Sequence, residues 1–106
     1  MSSVKLIHAL CEARCYPHAV KNIRVIETHI SYVLLTGEYA YKLKKPVNLG
    51  FLDFSTIEAR RNACEEEVRL NRRLAPSVYR GVVPIVRRGG RLAVGGDGDL
   101  VDHAVQ

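Results

Sequence analysis

The chain has 106 residues, with 16 Lys or Arg against 11 Asp or Glu, a net charge of +5, and 47% apolar residues. That is one small domain or part of one, apolar enough to fold around a core and too apolar for a disordered chain. The apolar runs fall well short of the roughly 20 residues that span a bilayer, and the first residues lack the apolar core of a signal peptide, so a cytoplasmic protein with reduced thiols at its three cysteines is expected.

In chain order, residues 4–15 read as a helix, with Val4, Ile7, Leu10, Cys11 and, more loosely, Cys15 on one side. Pro17 ends it, because the residue before a proline is pushed out of the α region. Residues 22–27, 29–36 and 39–45 read as strands, with a turn at Thr36-Gly37-Glu38 and a stop at Pro46. Residues 46–55 form a loop whose Leu49, Phe51, Leu52 and Phe54 can fold back on the core. A long helix follows over 56–74, stopping near Ala75-Pro76. Ser55 or Thr56 is placed to cap it, and Ser55-x-x-Glu58 has capping-box spacing. Strands at 82–87 and 91–94 flank Arg88-Gly89-Gly90, a hairpin signal. After a turn at 95–99, residues 100–106 begin another strand. The order gives an α+β fold: an antiparallel β-sheet with one main helix packed on it, plus an N-terminal helix.

Alternation puts Lys42 and Lys44 on one face of their strand and Tyr41, Leu43 and Lys45 on the other. A lysine facing the sheet–helix interface needs an anion, because burying an unpaired charge is costly. The long helix offers Glu65, Glu66 and Glu67. Glu67 lies at helical spacing from Ala63, Cys64, Leu70 and Leu74, on the apolar side, and is matched to Lys42. Glu65 and Glu66 fall beside Arg61, Arg69, Arg72 and Arg73 as surface ion-pair partners. Two readings stay open from spacing alone: a solvated charged face, which charge runs usually are, or a phosphate site built on the lysine–glutamate pair.

The stretch from Glu27-Thr28-His29-Ile30-Ser31 through Tyr39-Ala40-Tyr41-Lys42-Leu43-Lys44-Lys45-Pro46 to Asp53-Phe54-Ser55, with Cys64-Glu65-Glu66-Glu67 and Leu70-Asn71-Arg72-Arg73-Leu74-Ala75-Pro76, resembles bacterial proteins of the aminoglycoside phosphotransferase (protein-kinase-like) superfamily. More narrowly, it resembles two-part proteins with a kinase-like front half and a P-loop ATPase rear half. The resemblance covers residues 16–106. It implies a kinase-like N-terminal lobe: a single partial domain over 1–106, with an N-terminal helical extension at 1–16 and the lobe at 22–106. It further implies that Lys42 takes the phosphate-binding lysine position, with Lys44 as the second candidate, and that Glu67 takes the helix glutamate position. The strand at 101–106 would lead to the hinge that binds adenine.

ATP is the implied cofactor, with magnesium only if a C-terminal lobe supplies its ligands. The family's catalytic aspartate and metal-binding residues fall beyond Gln106, so no catalytic or metal residue is assigned within the chain, and a truncated lobe, inactive alone, is expected. The chain also departs from the pattern. It has no P-loop, and Thr28-His29-Ile30-Ser31 stands where a Gly-rich phosphate loop would be. His29 is a candidate phosphate donor there, against the plainer reading of a half-exposed strand histidine.

Other constellations read as structural. His8, Cys11, Cys15 and His18 would line one side of a helix, whereas tetrahedral zinc needs converging ligands; two core cysteines and two surface histidines are expected instead. Gly95-Gly96-Asp97-Gly98-Asp99 lacks the closing glutamate of a calcium loop. Arg60/Arg61 and Arg72/Arg73 are placed on outer helix faces as solvated ion pairs. The competing function is a small basic module for nucleic acid or an acidic protein, although nucleic acid is not the favoured partner. Beyond a nucleotide, the partners to consider are a missing C-terminal lobe, a partner chain, or a second copy pairing through an exposed sheet edge.

Overall fold

The computed structural model describes residues 3–50, 52–73 and 78–106. The chain runs α1 (Ser3–Ala9), a single 3₁₀ turn (Ala13–Cys15), β1 (Arg24–Glu27), β2 (Ser31–Leu35), β3 (Ala40–Lys44), α2 (Ile57–Asn71), β4 (Val82–Arg88), β5 (Arg91–Val94) and β6 (Asp99–Val105). The six strands form one antiparallel sheet in the order β1-β2-β3-β6-β4-β5. This is an α+β fold with one main helix on the sheet. Phe51 as a loop anchor, Leu74 on the helix and the helix stop at Ala75 and Pro76 lie outside the described residues.

The last strand is inserted between β3 and β4. It pairs along its whole length with β4, with a shift in register between Ile85 and Val86. Against β3 it shares a single register pair, Lys42 opposite Val105. The β4–β5 hairpin turns through Gly89 and Gly90, both at positive φ (59° and 79°), the backbone a two-residue type I′ connection demands.

The larger core lies on one sheet face. It joins Leu6, Ile7 and Leu10 of the N-terminal segment, with Cys15 and Tyr16, to Leu34, Tyr41, Leu43, Ile85, Leu92 and Ala104. The N-terminal segment is therefore an integral wall of the core, where the sequence suggested an extension. Its helix is also shorter than the expected 4–15. The Tyr16 hydroxyl donates to the Leu10 carbonyl at 2.7 Å, satisfying an acceptor that the end of α1 leaves free, and Cys11 is turned to solvent while Cys15 is buried. His18 is half-buried in an aromatic group: its Nε2 lies 2.6 Å from the Tyr41 hydroxyl and its ring 4.5 Å from that of Tyr39. Of the expected two core cysteines and two surface histidines, only Cys15 and His8 are as described.

A second, smaller core on the opposite face holds α2 against the sheet through Cys64, Val68 and Val105, with Tyr79 and Val82 beside them. The Thr56 side chain caps α2 by accepting from the Ala59 amide at 3.0 Å. The alternative cap does not form, because Ser55 donates its hydroxyl and its amide to Asp53 Oδ1 at 2.6 and 2.9 Å.

Candidate functional site

Strand alternation in β3 sends Tyr41 and Leu43 into the large core and leaves Ala40, Lys42 and Lys44 toward α2. Both lysines meet one carboxylate. Lys44 Nζ donates to Glu67 Oε1 at 2.6 Å, while Lys42 Nζ lies 3.5 Å from Glu67 Oε2. The sequence matched Glu67 to Lys42; the closer partner is Lys44. Their surroundings differ as much as their distances. The Lys44 side chain is 8% exposed and the Lys42 side chain 37% exposed, with Glu67 between them at 14%.

The loop before α2 explains the seclusion of Lys44. Asn48 bridges Asp53, the Leu49 amide donates to the Leu52 carbonyl, and the Phe54 amide donates to the Val47 carbonyl at 2.7 Å. Gly50, at φ 85°, makes the turn. This small hairpin buries Phe54, whose ring centroid is 5.9 Å from Lys44 Nζ, within cation–π reach. Leu49, also expected to fold inward, is exposed at the tip.

The position of α2, and so of Glu67, depends on Arg60. The sequence placed Arg60 on the outer face as a solvated charge; it is buried. Its Nε donates to Asp102 Oδ1 at 3.1 Å and its Nη1 to the Phe54 carbonyl at 2.8 Å. Arg60 precedes Cys64 and Val68 by one and two helical turns, on the same stripe. That i, i+4, i+8 spacing was the available signal. Arg72, likewise assigned to solvent, is exposed but donates Nε to the Tyr79 carbonyl at 3.0 Å and Nη2 to the Arg80 carbonyl. It ties the end of α2 to the segment leading into β4. The expected helix-surface pairs do form, Arg61 with Glu65 and Arg69 with Glu66.

Burial pushes the Cys64 thiol up to about 11, opposed in part by the nearby Lys44 ammonium. His103, on β6, is held below its ordinary value first by burial and then by the Arg61 charge. Its Nδ1 is buried and has no hydrogen-bond partner among the described residues.

A cleft of about 510 Å³ opens beside the lysine–glutamate cluster. Val33, Ala40 and Val105 give it an apolar lining, Lys42 and Glu67 stand at one side, Glu38 and Arg80 add further charges, and Tyr39, Val78, Tyr79 and Gln106 complete it. Lys44 is not part of its wall. Two ammonium groups share the Glu67 carboxylate here, and Glu38 and Arg80 add one charge of each sign to the cleft wall, so cations outnumber carboxylates by one beside an apolar hollow. That arrangement suits a ligand with a flat apolar part and an anionic tail.

His29 is not drawn into this cluster. It lies in the turn between β1 and β2 rather than in a strand, and it is exposed. The turn is organised by Thr28, whose Oγ1 accepts from the Ser31 amide at 3.0 Å and meets Ser31 Oγ at 2.9 Å. Among the described residues, no three His, Cys, Asp or Glu side chains gather as a metal-holding group, and no helix is long and apolar enough to cross a membrane.

No family model matches the chain, and no solved structure does. Among curated proteins it is similar to an uncharacterized protein of Mycobacterium bovis and to uncharacterized proteins of two Mycobacterium tuberculosis strains. Each is 45% identical over 74 residues, covering 67% of this chain and 15% of the relative. The chain therefore spans about 15% of the length of the curated relatives it matches.

Proposed function

We propose that this chain is the nucleotide-binding lobe of a phosphotransferase-like protein, with ATP as its ligand and Lys42 as the residue that meets the phosphates. The observation that carries this reading is the place of Lys42. It is on the third strand, 3.5 Å from a glutamate of the following helix, and on the wall of a 510 Å³ cleft lined by Val33, Ala40 and Val105. A strand lysine oriented by a helix glutamate is the device with which kinase-like sites hold ATP phosphates. The Ala40-Tyr41-Lys42 order also agrees with the Ala-x-Lys spacing of the corresponding kinase strand. The adenine ring would lie among the apolar residues, and the phosphates would extend toward Lys42. The role proposed for these 106 residues is binding, with magnesium and the reacting groups supplied by further structure.

Calorimetric titration with ATP and with adenosine tests this. Lys42→Ala is expected to weaken ATP by at least about tenfold, roughly 1.4 kcal/mol, and to leave adenosine unchanged. An ATP affinity indifferent to Lys42→Ala would remove Lys42 from the site. Steeply salt-dependent binding of DNA or RNA without binding of ATP would favour a basic nucleic-acid module instead.

A further inference from the structure

We propose that Lys44 is a positioning residue: it fixes the Glu67 carboxylate from behind, so that Lys42 keeps an ammonium free to turn to an anion in the cleft. The inference rests on the nucleotide reading for the identity of that anion, and on geometry alone for the division of labour between the lysines.

A lysine that alone made the closest contact to the glutamate would have to serve that carboxylate and a phosphate with the same ammonium. Here that close contact belongs to the other lysine. Lys44 Nζ takes Oε1 at 2.6 Å, almost out of water and with the Phe54 ring beside it. Lys42 is left with Oε2 at 3.5 Å and more than a third of its side chain exposed. The Lys44–Glu67 contact is short and shielded, whereas the Lys42–Glu67 contact is longer and in a higher dielectric, so its Coulomb energy is the smaller. Turning Lys42 into the cleft gives up only the weaker contact, and Glu67 stays neutralised by Lys44 while it happens. Lys44 is not among the residues that line the cleft, and Ser31, directly across the ladder from it, is fully buried.

Nitrogen-15 relaxation of the lysine ammonium groups, with a double-mutant cycle, tests the proposal. In the ligand-free chain the Lys44 ammonium is expected to be rigid and the Lys42 ammonium mobile. On adding ATP, the Lys42 signal is expected to shift and the Lys44 signal to stay. Lys44→Met should weaken ATP binding by about tenfold in the native background, and by less than about twofold where Glu67→Gln is already present, because it acts through Glu67. Adenosine binding should follow neither change. A Lys44 signal that shifts with ATP, or a Lys44→Met loss that persists undiminished in the Glu67→Gln background, would make Lys44 a direct phosphate contact and overturn the proposal. If ATP moved no signal at all, the nucleotide reading would fall. The ligand-free mobilities would still decide which lysine anchors Glu67, and equal mobilities would overturn the anchor role.

Discussion

Arg60 and Asp102 form a buried ion pair across the helix–sheet interface, with 3.1 Å between Nε and Oδ1 and both side chains under a tenth exposed. Asp102 Oδ1 also accepts from the His103 amide at 2.8 Å, and Arg60 reaches the Phe54 carbonyl. The same two residues thus hold α2, β6 and the loop that shelters Lys44. Removing one partner leaves the other charge buried alone. Asp102→Ala is expected to cost about 3–5 kcal/mol, read as a lower urea midpoint. Replacing both, as Arg60→Met with Asp102→Leu, should recover most of that loss, because the desolvation cost of the ions goes with them. A double variant as unstable as the single one would contradict this account.

The His103 imidazole gives the fold a pH dependence near neutrality. Its folded value lies below the ordinary 6.5, mainly through burial. Above about pH 6.5 the group is neutral both folded and unfolded and costs nothing. As pH falls below that, the unfolded chain takes up a proton that the folded chain refuses, so stability drops until the folded value is reached. Denaturation midpoints at pH 7.5 and 5.5 should show the drop, and His103→Gln should flatten it. The Asp53 and Glu66 carboxyls, held below the usual range by hydrogen bonds from Ser55 and Arg69, lose their contribution only at more acid pH, so the two windows separate.

Thr56, and not Ser55, carries the cap of α2. Thr56→Ala is expected to lower stability by about 1 kcal/mol, and Thr56→Ser to leave it nearly unchanged. Ser55→Ala should not mimic Thr56→Ala, since Ser55 serves the Asp53 turn. Thermal unfolding of the three variants checks the order.

The cysteines should separate by access. Cys11 is exposed, whereas Cys15 and Cys64 are buried, and burial raises both of their thiols. Thiolate is the reactive form, so one equivalent of a thiol reagent is expected to react quickly in the native chain and three in denaturant. Rapid labelling of Cys64 in the native chain would mean that α2 lifts readily from the sheet.

Much of this arrangement was legible in the sequence, and the parts that were not share a cause. The strands and α2 were readable because period-2 and period-3.6 patterns fix which side chains share a face. Those periods put Lys42 and Lys44 on one strand face and Glu67 on the apolar side of α2, and they match Glu67 to Lys42; they do not show that both lysines meet it. Nor do they show which lysine stands closer, because that depends on how α2 lies across the sheet and on the Phe54 loop, both set by contacts distant in sequence. Arg60 goes against its residue type: its charge points to solvent, but its spacing from Cys64 and Val68 puts it inside. The apolar spacing of Leu10 and Cys11 extends the N-terminal helix past its end because it carries no sign of the inward turn of Tyr16.

The single register pair between β3 and β6 has a mechanical consequence. It divides the sheet into two three-stranded leaves joined along a narrow spine, with Lys42 on one leaf and Val105 on the other. Strands twist relative to their neighbours, and a one-pair ladder resists a change of twist far less than the long β4–β6 ladder does. The cleft spans that spine, with Ala40 on one leaf and Val105 on the other. A flat ring seated between them would act as a wedge that sets the angle of the leaves, and the angle would in turn set how far the Lys42 ammonium reaches.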